Sequence, residues 1–173
     1  MNLPNKLTMA RIIAVPIFVI LYMKQLYLAA FIVFILASFT DMLDGKIARK
    51  YNLITNFGKI MDPLADKILV YSAFCLMIGD GTVPAWMLII ILLREFAVSG
   101  MRTVAAANGI VIAAGMSGKI KTVLQMIAVP LLILRSVHPV VNTLATVFLW
   151  ASLVMTVYSG VEYIVQNKQV FKE

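Results

Sequence analysis

An all-α fold, a six-helix integral membrane bundle around a polar cavity open to the cytoplasm, is what this sequence predicts. Three observations carry that prediction. First, 62% of the 173 residues are hydrophobic and only 13% are charged, with a mean hydropathy of +0.95. A soluble domain of this size has too little interior for so much apolar side chain, so the bilayer is the solvent. Second, the apolar residues fall into six segments of helical length. Third, four carboxylates, Asp41, Asp44, Asp62 and Asp66, stand inside or at the edge of two of those segments. An Asp at the centre of a membrane helix costs about 2.5–3.5 kcal/mol on insertion scales, which bounds the quartet at roughly 10 kcal/mol, too much for residues without a task.

The first segment covers residues 7–22, behind Asn-Leu-Pro-Asn, and Asn5 is placed to cap it. Its basic-to-apolar profile imitates a signal peptide, but Arg11 interrupts the transition and no small-residue cleavage site follows, so a retained helix is expected. The second covers residues 26–48 and carries Asp41 and Asp44 near its end; residues 49–57 form a polar connection. The third, residues 58–78, holds Asp62 and Asp66 in its first half, with Pro63 releasing the carbonyl of Lys59 from helical bonding. Gly79-Asp80-Gly81 is a turn signal. The fourth, residues 84–107, contains Arg94 and Glu95 and is broken by Asn108-Gly109. Residues 110–118 read either as an interfacial loop or as a short helix. The fifth and sixth cover residues 119–134 and 139–165. With no repeat or long linker, one membrane domain is expected over residues 1–173. The single cysteine, Cys75, is expected to be a small buried hydrophobe, and His138, beside Pro139, a surface residue of an outer turn.

The net charge is +7. Lys6, Arg11, Lys46, Arg49, Lys50, Lys59, Arg102, Lys119, Lys121, Lys168 and Lys172 fall near one face of a six-span bundle, and Lys24 and Arg135 near the other. This bias places both termini in the cytoplasm and explains the charge without a nucleic-acid partner. At about 1.5 Å per residue, Asp66 lies roughly 12 Å along its helix from Gly58, and Arg94 roughly 15 Å from Pro84 on the opposite side. Both approach mid-membrane, which predicts the cytoplasm-facing cavity.

Asp41 and Asp44 are spaced i, i+3 and Asp62 and Asp66 i, i+4, so each pair shares a helical face. Two such pairs on neighbouring helices make an oxygen-rich cage for hard divalent cations, and two ions would offset the four charges. The full pattern is Asp41-x2-Asp44-Gly45-x2-Ala48-Arg49-x8-Gly58-x3-Asp62-x3-Asp66. Eight specified residues coincide at random with odds on the order of one in ten billion per start point. The pattern resembles the signature of the CDP-alcohol phosphotransferase family, a family of six-helix membrane bundles, at every fixed position.

That resemblance implies transfer of a phosphatidyl group from a CDP-linked lipid to an alcohol, with CMP leaving. It implies two divalent metal ions, Mg or Mn, held by Asp41, Asp44 and Asp62 with Asp66 in reach, and Asp66 as the general base. Asp44, Gly45, Ala48, Arg49 and Gly58 would meet the nucleotide, with Asn5 and Thr8 reaching it from the first helix. Gly45 and Ala48 also fit as helix-packing residues. Arg49 fits a grip on phosphate or cytosine, or a positive-inside anchor. Asn-Leu-Pro-Asn-Lys-Leu-Thr-x2-Arg at residues 2–11, Arg94-Glu95-Phe-Ala-Val-Ser-Gly-Met-Arg102 and Gly118-Lys119-Ile-Lys121-Thr resemble the phosphatidylglycerophosphate synthases within the family. That branch implies CDP-diacylglycerol and glycerol 3-phosphate as substrates, a lateral opening to membrane lipid, and a homodimer. Arg94, Arg102, Lys119 and Lys121 would bind the acceptor phosphate. Arg94 could instead be neutralised by Glu95 or by an Asp of the quartet, and the other three could be interface anchors. The rival readings are another acceptor (phosphatidylglycerol, serine or an inositol compound) and a cation transporter. The transporter leaves Gly45, Ala48 and Arg49 unexplained.

Overall fold

The computed structural model describes residues 3–50, 56–113 and 115–168; the side chains of residues 3, 4, 41–50, 56, 57, 59, 60 and 63 lie outside that description. Six helices follow one another: α1 Leu3–Met23, α2 Tyr27–Lys50, α3 Asn56–Gly79, α4 Ala85–Ala107, α5 Met116–Ile133 and α6 Pro139–Gln166. Each corresponds to one apolar segment of the sequence, and no strand occurs among the described residues. Three stretches are long and apolar enough to cross a membrane, Asn5–Met23, Met116–Ile133 and Pro139–Gln166, and α2 adds the apolar stretch Tyr27–Thr40. What separates α3 and α4 from these is charge, not length. Asp62, Asp66 and Lys67 sit on α3, and Arg94, Glu95 and Arg102 on α4. At ~1.5 Å per residue both are long enough for a hydrocarbon core of about 30 Å.

Two helix starts differ from expectation. Helix α1 already includes Leu3, so Asn5 lies within its first turn, buried, rather than ahead of it as a cap. Helix α5 opens at Met116, so residues 116–118 are helical and residues 108–115 form the connection, with residue 114 outside the description. Three helix ends share one solution. After α4, Ile110 N–H reaches Ala105 O at 2.8 Å and Gly109 N–H reaches Ala106 O at 3.1 Å, with Gly109 at φ 74°. After α3, Thr82 N–H reaches Met77 O and Gly81, at φ 77°, reaches Ile78 O; after α1, Leu26 and Gln25 do the same. These are Schellman ends, which satisfy the last carbonyls through one left-handed residue. Gln25 adopts that conformation without being a glycine.

The interior divides along the bundle axis. The half towards the α1–α2, α3–α4 and α5–α6 turns is an apolar core that includes Phe18, Phe34, Phe74, Met77, Met87 and Ile133. The other half buries Asn5, Thr8, Arg11, Glu95, Lys121, Gln125 and Ser159. Burial of unpaired polar groups is costly, so this second half needs an internal network. The most extensive pairings are α5 with α6 and α1 with α2. Cys75 departs from expectation: it is exposed on the outer surface of α3, not buried.

At the apolar end, Asp80 ties α1 to the α3–α4 turn. Tyr22 donates to its Oδ2 at 2.7 Å, and Thr82 donates its N–H at 2.9 Å and its hydroxyl to Oδ1. Burial alone would raise the Asp80 carboxyl, but these bonds and Arg135 outweigh it and hold the group below the ordinary carboxylate range. A depressed carboxylate stabilises above its unfolded pKa and loses that contribution as pH falls through the folded value. Asp80→Asn is therefore expected to cost about 0.5–1 kcal/mol at neutral pH, discounted because the turn is exposed. The gap in thermal midpoint between variant and parent should narrow below about pH 4. A gap unchanged with pH would remove the charge from the explanation.

Candidate active site

Helix α3 presents Asp62 and Asp66, both half-buried, one turn apart. The fully buried Thr8 of α1 donates its hydroxyl to Asp62 Oδ1 and so orients that carboxylate. Asn5 and Arg11 are buried one turn either side of Thr8, and Gly58 is buried at the start of α3. Arg11 Nε donates to Ala37 O at 3.3 Å, one turn before Asp41 on α2. Arg11 is only 1% exposed, so it belongs to the interior and not among interface anchors. Asp41, Asp44, Gly45, Ala48 and Arg49 lie on the last turns of α2, with side chains outside the described residues. Among the described residues no group of three or more His, Cys, Asp or Glu forms a metal cage, and Asp62 and Asp66 alone supply two carboxylates. An oxygen-only donor set on adjacent turns, with one carboxylate held by a hydroxyl, suits a hard divalent ion.

A cavity of about 410 Å³ opens between α4, α5 and α6, and Arg94, Arg102, Lys119 and Lys121 all line it. The four cations expected to meet an acceptor phosphate therefore share one space. The structure adds Lys67, Ser99, Ser117, Ser159, Glu162 and Tyr163 to its wall. Five cationic side chains thus face two carboxylates, Glu95 and Glu162, an excess suited to a dianion. The uncapped first turn of α5, from Gly115 to Gly118, also lines the cavity. Its open N–H groups and the helix dipole favour an anion at the same place.

Glu95 is the hub of this wall. Its Oε1 receives Arg94 Nη1 at 2.9 Å and Lys121 Nζ, and its Oε2 pairs with Lys67 Nζ at 3.3 Å. Arg94 is thus paired with Glu95 and at the same time part of the cavity wall. Lys121 is 4% exposed, which excludes an interface anchor. Lys119 stays exposed at the rim. Arg102 donates from Nε to Tyr163 OH at 3.1 Å and lies over that ring, 5.6 Å from its centroid. A smaller space of about 50 Å³ is lined by Asp66, Lys67, Tyr71, Glu95, Lys121 and Gln125. Lys67, Glu95 and Lys121 line both spaces, so Asp66 stands where the carboxylate region meets the cationic cavity. Sequence reasoning missed Lys67 and Glu162. Lys67 directly follows Asp66, and Glu162 is a carboxylate in an apolar helix, subject to the same cost that singled out the four Asp residues.

Carboxylates beside a cationic cavity within a membrane bundle are the equipment of a transferase for phosphorylated substrates. The chain belongs to the CDP-alcohol phosphatidyltransferase family, whose model matches residues 1–158, and members of this family use divalent metal ions. It is 46% identical to the CDP-diacylglycerol–glycerol-3-phosphate 3-phosphatidyltransferase of Bacillus subtilis (strain 168), over 99% of this chain and 97% of that protein. It is 39% identical to the protein of the same name from Rickettsia typhi, over 98% and 99%. The protein of that name from Haemophilus influenzae is 35% identical, over 94% and 91%.

Proposed function

We propose that this enzyme transfers the phosphatidyl group of CDP-diacylglycerol to glycerol 3-phosphate, giving phosphatidylglycerol phosphate and CMP. The observation that carries the reading is the convergence of Arg94, Arg102, Lys119 and Lys121 on one cavity that adjoins Asp66. The names of its relatives support the same substrates. In this reading the acceptor's phosphate lies among the four cations and its free hydroxyl points towards Asp66. Asp66 takes the hydroxyl proton as the oxygen attacks the phosphatidyl phosphorus, and the bond from that phosphorus to CMP breaks. Asp41, Asp44 and Asp62, with Asp66 in reach, would hold two divalent ions, Mg or Mn, which when bound neutralise the diphosphate and the departing CMP. Asn5, Thr8, Asp44, Gly45, Ala48, Arg49 and Gly58 form the nucleotide's side of the site. The acyl chains stay in the bilayer, reaching the site through a lateral opening. The chain acts as one membrane domain, within a homodimer, with both termini and the active site cytoplasmic, as the basic bias supports.

An acceptor panel tests this. Purified protein in detergent receives CDP-diacylglycerol and Mg or Mn, with glycerol 3-phosphate, serine, inositol phosphate or phosphatidylglycerol offered separately. CMP release with glycerol 3-phosphate alone is expected. Release with a different alcohol would keep the Asp-based chemistry and overturn the reading of the cationic cavity. No release with any, in folded protein, would shift weight to cation transport.

A further inference from the structure

Two glycines of different helices touch the same arginine. A Cβ built on Gly160 of α6 would fall 2.9 Å from Arg94 Cγ and 3.8 Å from its Cβ, and one on Gly118 of α5 would fall 3.2 Å from Arg94 Nη2. Gly79, Gly81, Gly100 and Gly109 have nothing within 4 Å, and Gly115 meets only Ser117 Oγ at 3.7 Å. Gly160 is buried within α6, where a glycine weakens a helix relative to alanine and packing or function must justify it. It also lies beyond residue 158, where the family match ends. The contact at Gly160 is with the stem of the arginine, which has less freedom to yield than its tip.

We infer that Gly160 is a positioning residue for the acceptor site. Its missing Cβ lets the Arg94 stem lie flat against α6, so that the guanidinium reaches Glu95 on one side and Gly118 at the start of α5 on the other. This rests on the reading of Arg94 as an acceptor-phosphate residue. An added methyl displaces the stem, turns the guanidinium off the anion's place, and leaves the nucleotide side untouched.

The test is a double-mutant cycle in the full chain. CMP release is measured for Gly160→Ala, Arg94→Ala and the double variant, varying each substrate in turn, with Gly100→Ala as control. Gly160→Ala should raise KM for glycerol 3-phosphate about three- to tenfold, the range set by pushing one side chain off its rotamer. KM for CDP-diacylglycerol should stay at the parent value. The double variant should be no worse than Arg94→Ala, because the displaced side chain is gone. Additive losses, or a parental KM in Gly160→Ala while Arg94→Ala raises it, would overturn the role of Gly160 and leave the acceptor reading standing. A parental KM in Arg94→Ala would instead overturn the acceptor reading, and the inference with it. If Gly160→Ala does not purify folded, Gly118→Ala approaches the same side chain from α5. A smaller rise in the same KM supports the seat, and no rise overturns it.

Discussion

Asp66→Asn is expected to lower turnover by about 10²–10⁴-fold, the range a positioned general base contributes, while nucleotide affinity stays within a few-fold of the parent. Asn preserves the size of the side chain and one carbonyl oxygen but accepts no proton at neutral pH. The expectation depends on place. Asp66 lines a space with Lys67, Glu95 and Lys121, and those three also line the cationic cavity. Asp62, one turn away, accepts a hydrogen bond from Thr8 of α1. The two carboxylates of α3 thus have different described neighbours, although the sequence presents them as a symmetrical pair. Single-turnover CMP release and direct titration with CDP check the prediction. Parental turnover would remove Asp66 as the base. Parallel loss of turnover and CDP affinity would reassign it to holding metal.

The helices were legible because their signal is additive: each segment gathers enough apolar residues to outweigh its few charges, and Gly-containing breaks mark the turns after α3 and after α4. Helix starts were less legible. Asn5 looks like a cap because its residue type favours that position, but the helix begins before it and its side chain is buried. Residues 116–118 stayed open between loop and short helix because Ser117 and Gly118 are poor helix formers, yet packing of α5 on α6 carries the long helix through them. For the site, spacing within one helix predicted which face Asp62 and Asp66 share, but not which helices meet. The partnership of Lys67, Arg94 and Lys121 around Glu95 joins three helices, and no local pattern encodes it. Arg94 was left between two exclusive readings because sequence treats neutralisation and function as alternatives. In the fold, the arginine is paired with Glu95 and lines the cavity at once, so pairing does not remove it from the wall.

Glu95→Gln should give the largest loss of stability. Glu95 is 7% exposed and Lys121 4%, and both of its oxygens are engaged by cations. Removing one partner of a buried ion pair costs about 3–5 kcal/mol, because the remaining charge is left uncompensated in a low-dielectric interior. For a chain of 173 residues, each 1 kcal/mol corresponds to about 2–4 °C in thermal midpoint, so a fall of at least about 6 °C is expected. The same cluster predicts how the loss is repaired. An anion seated among Lys67, Arg94 and Lys121 replaces the missing carboxylate, so glycerol 3-phosphate or inorganic phosphate should raise the midpoint of the variant more than that of the parent. Glu95→Asp, which keeps the charge and shortens its reach, should fall between the two. Thermal unfolding followed by intrinsic fluorescence, with and without glycerol 3-phosphate, measures all three. A variant as stable as the parent would mean that solvent already compensates the three cations. A destabilised variant that no anion rescues would separate the role of Glu95 in folding from the cavity's role in binding.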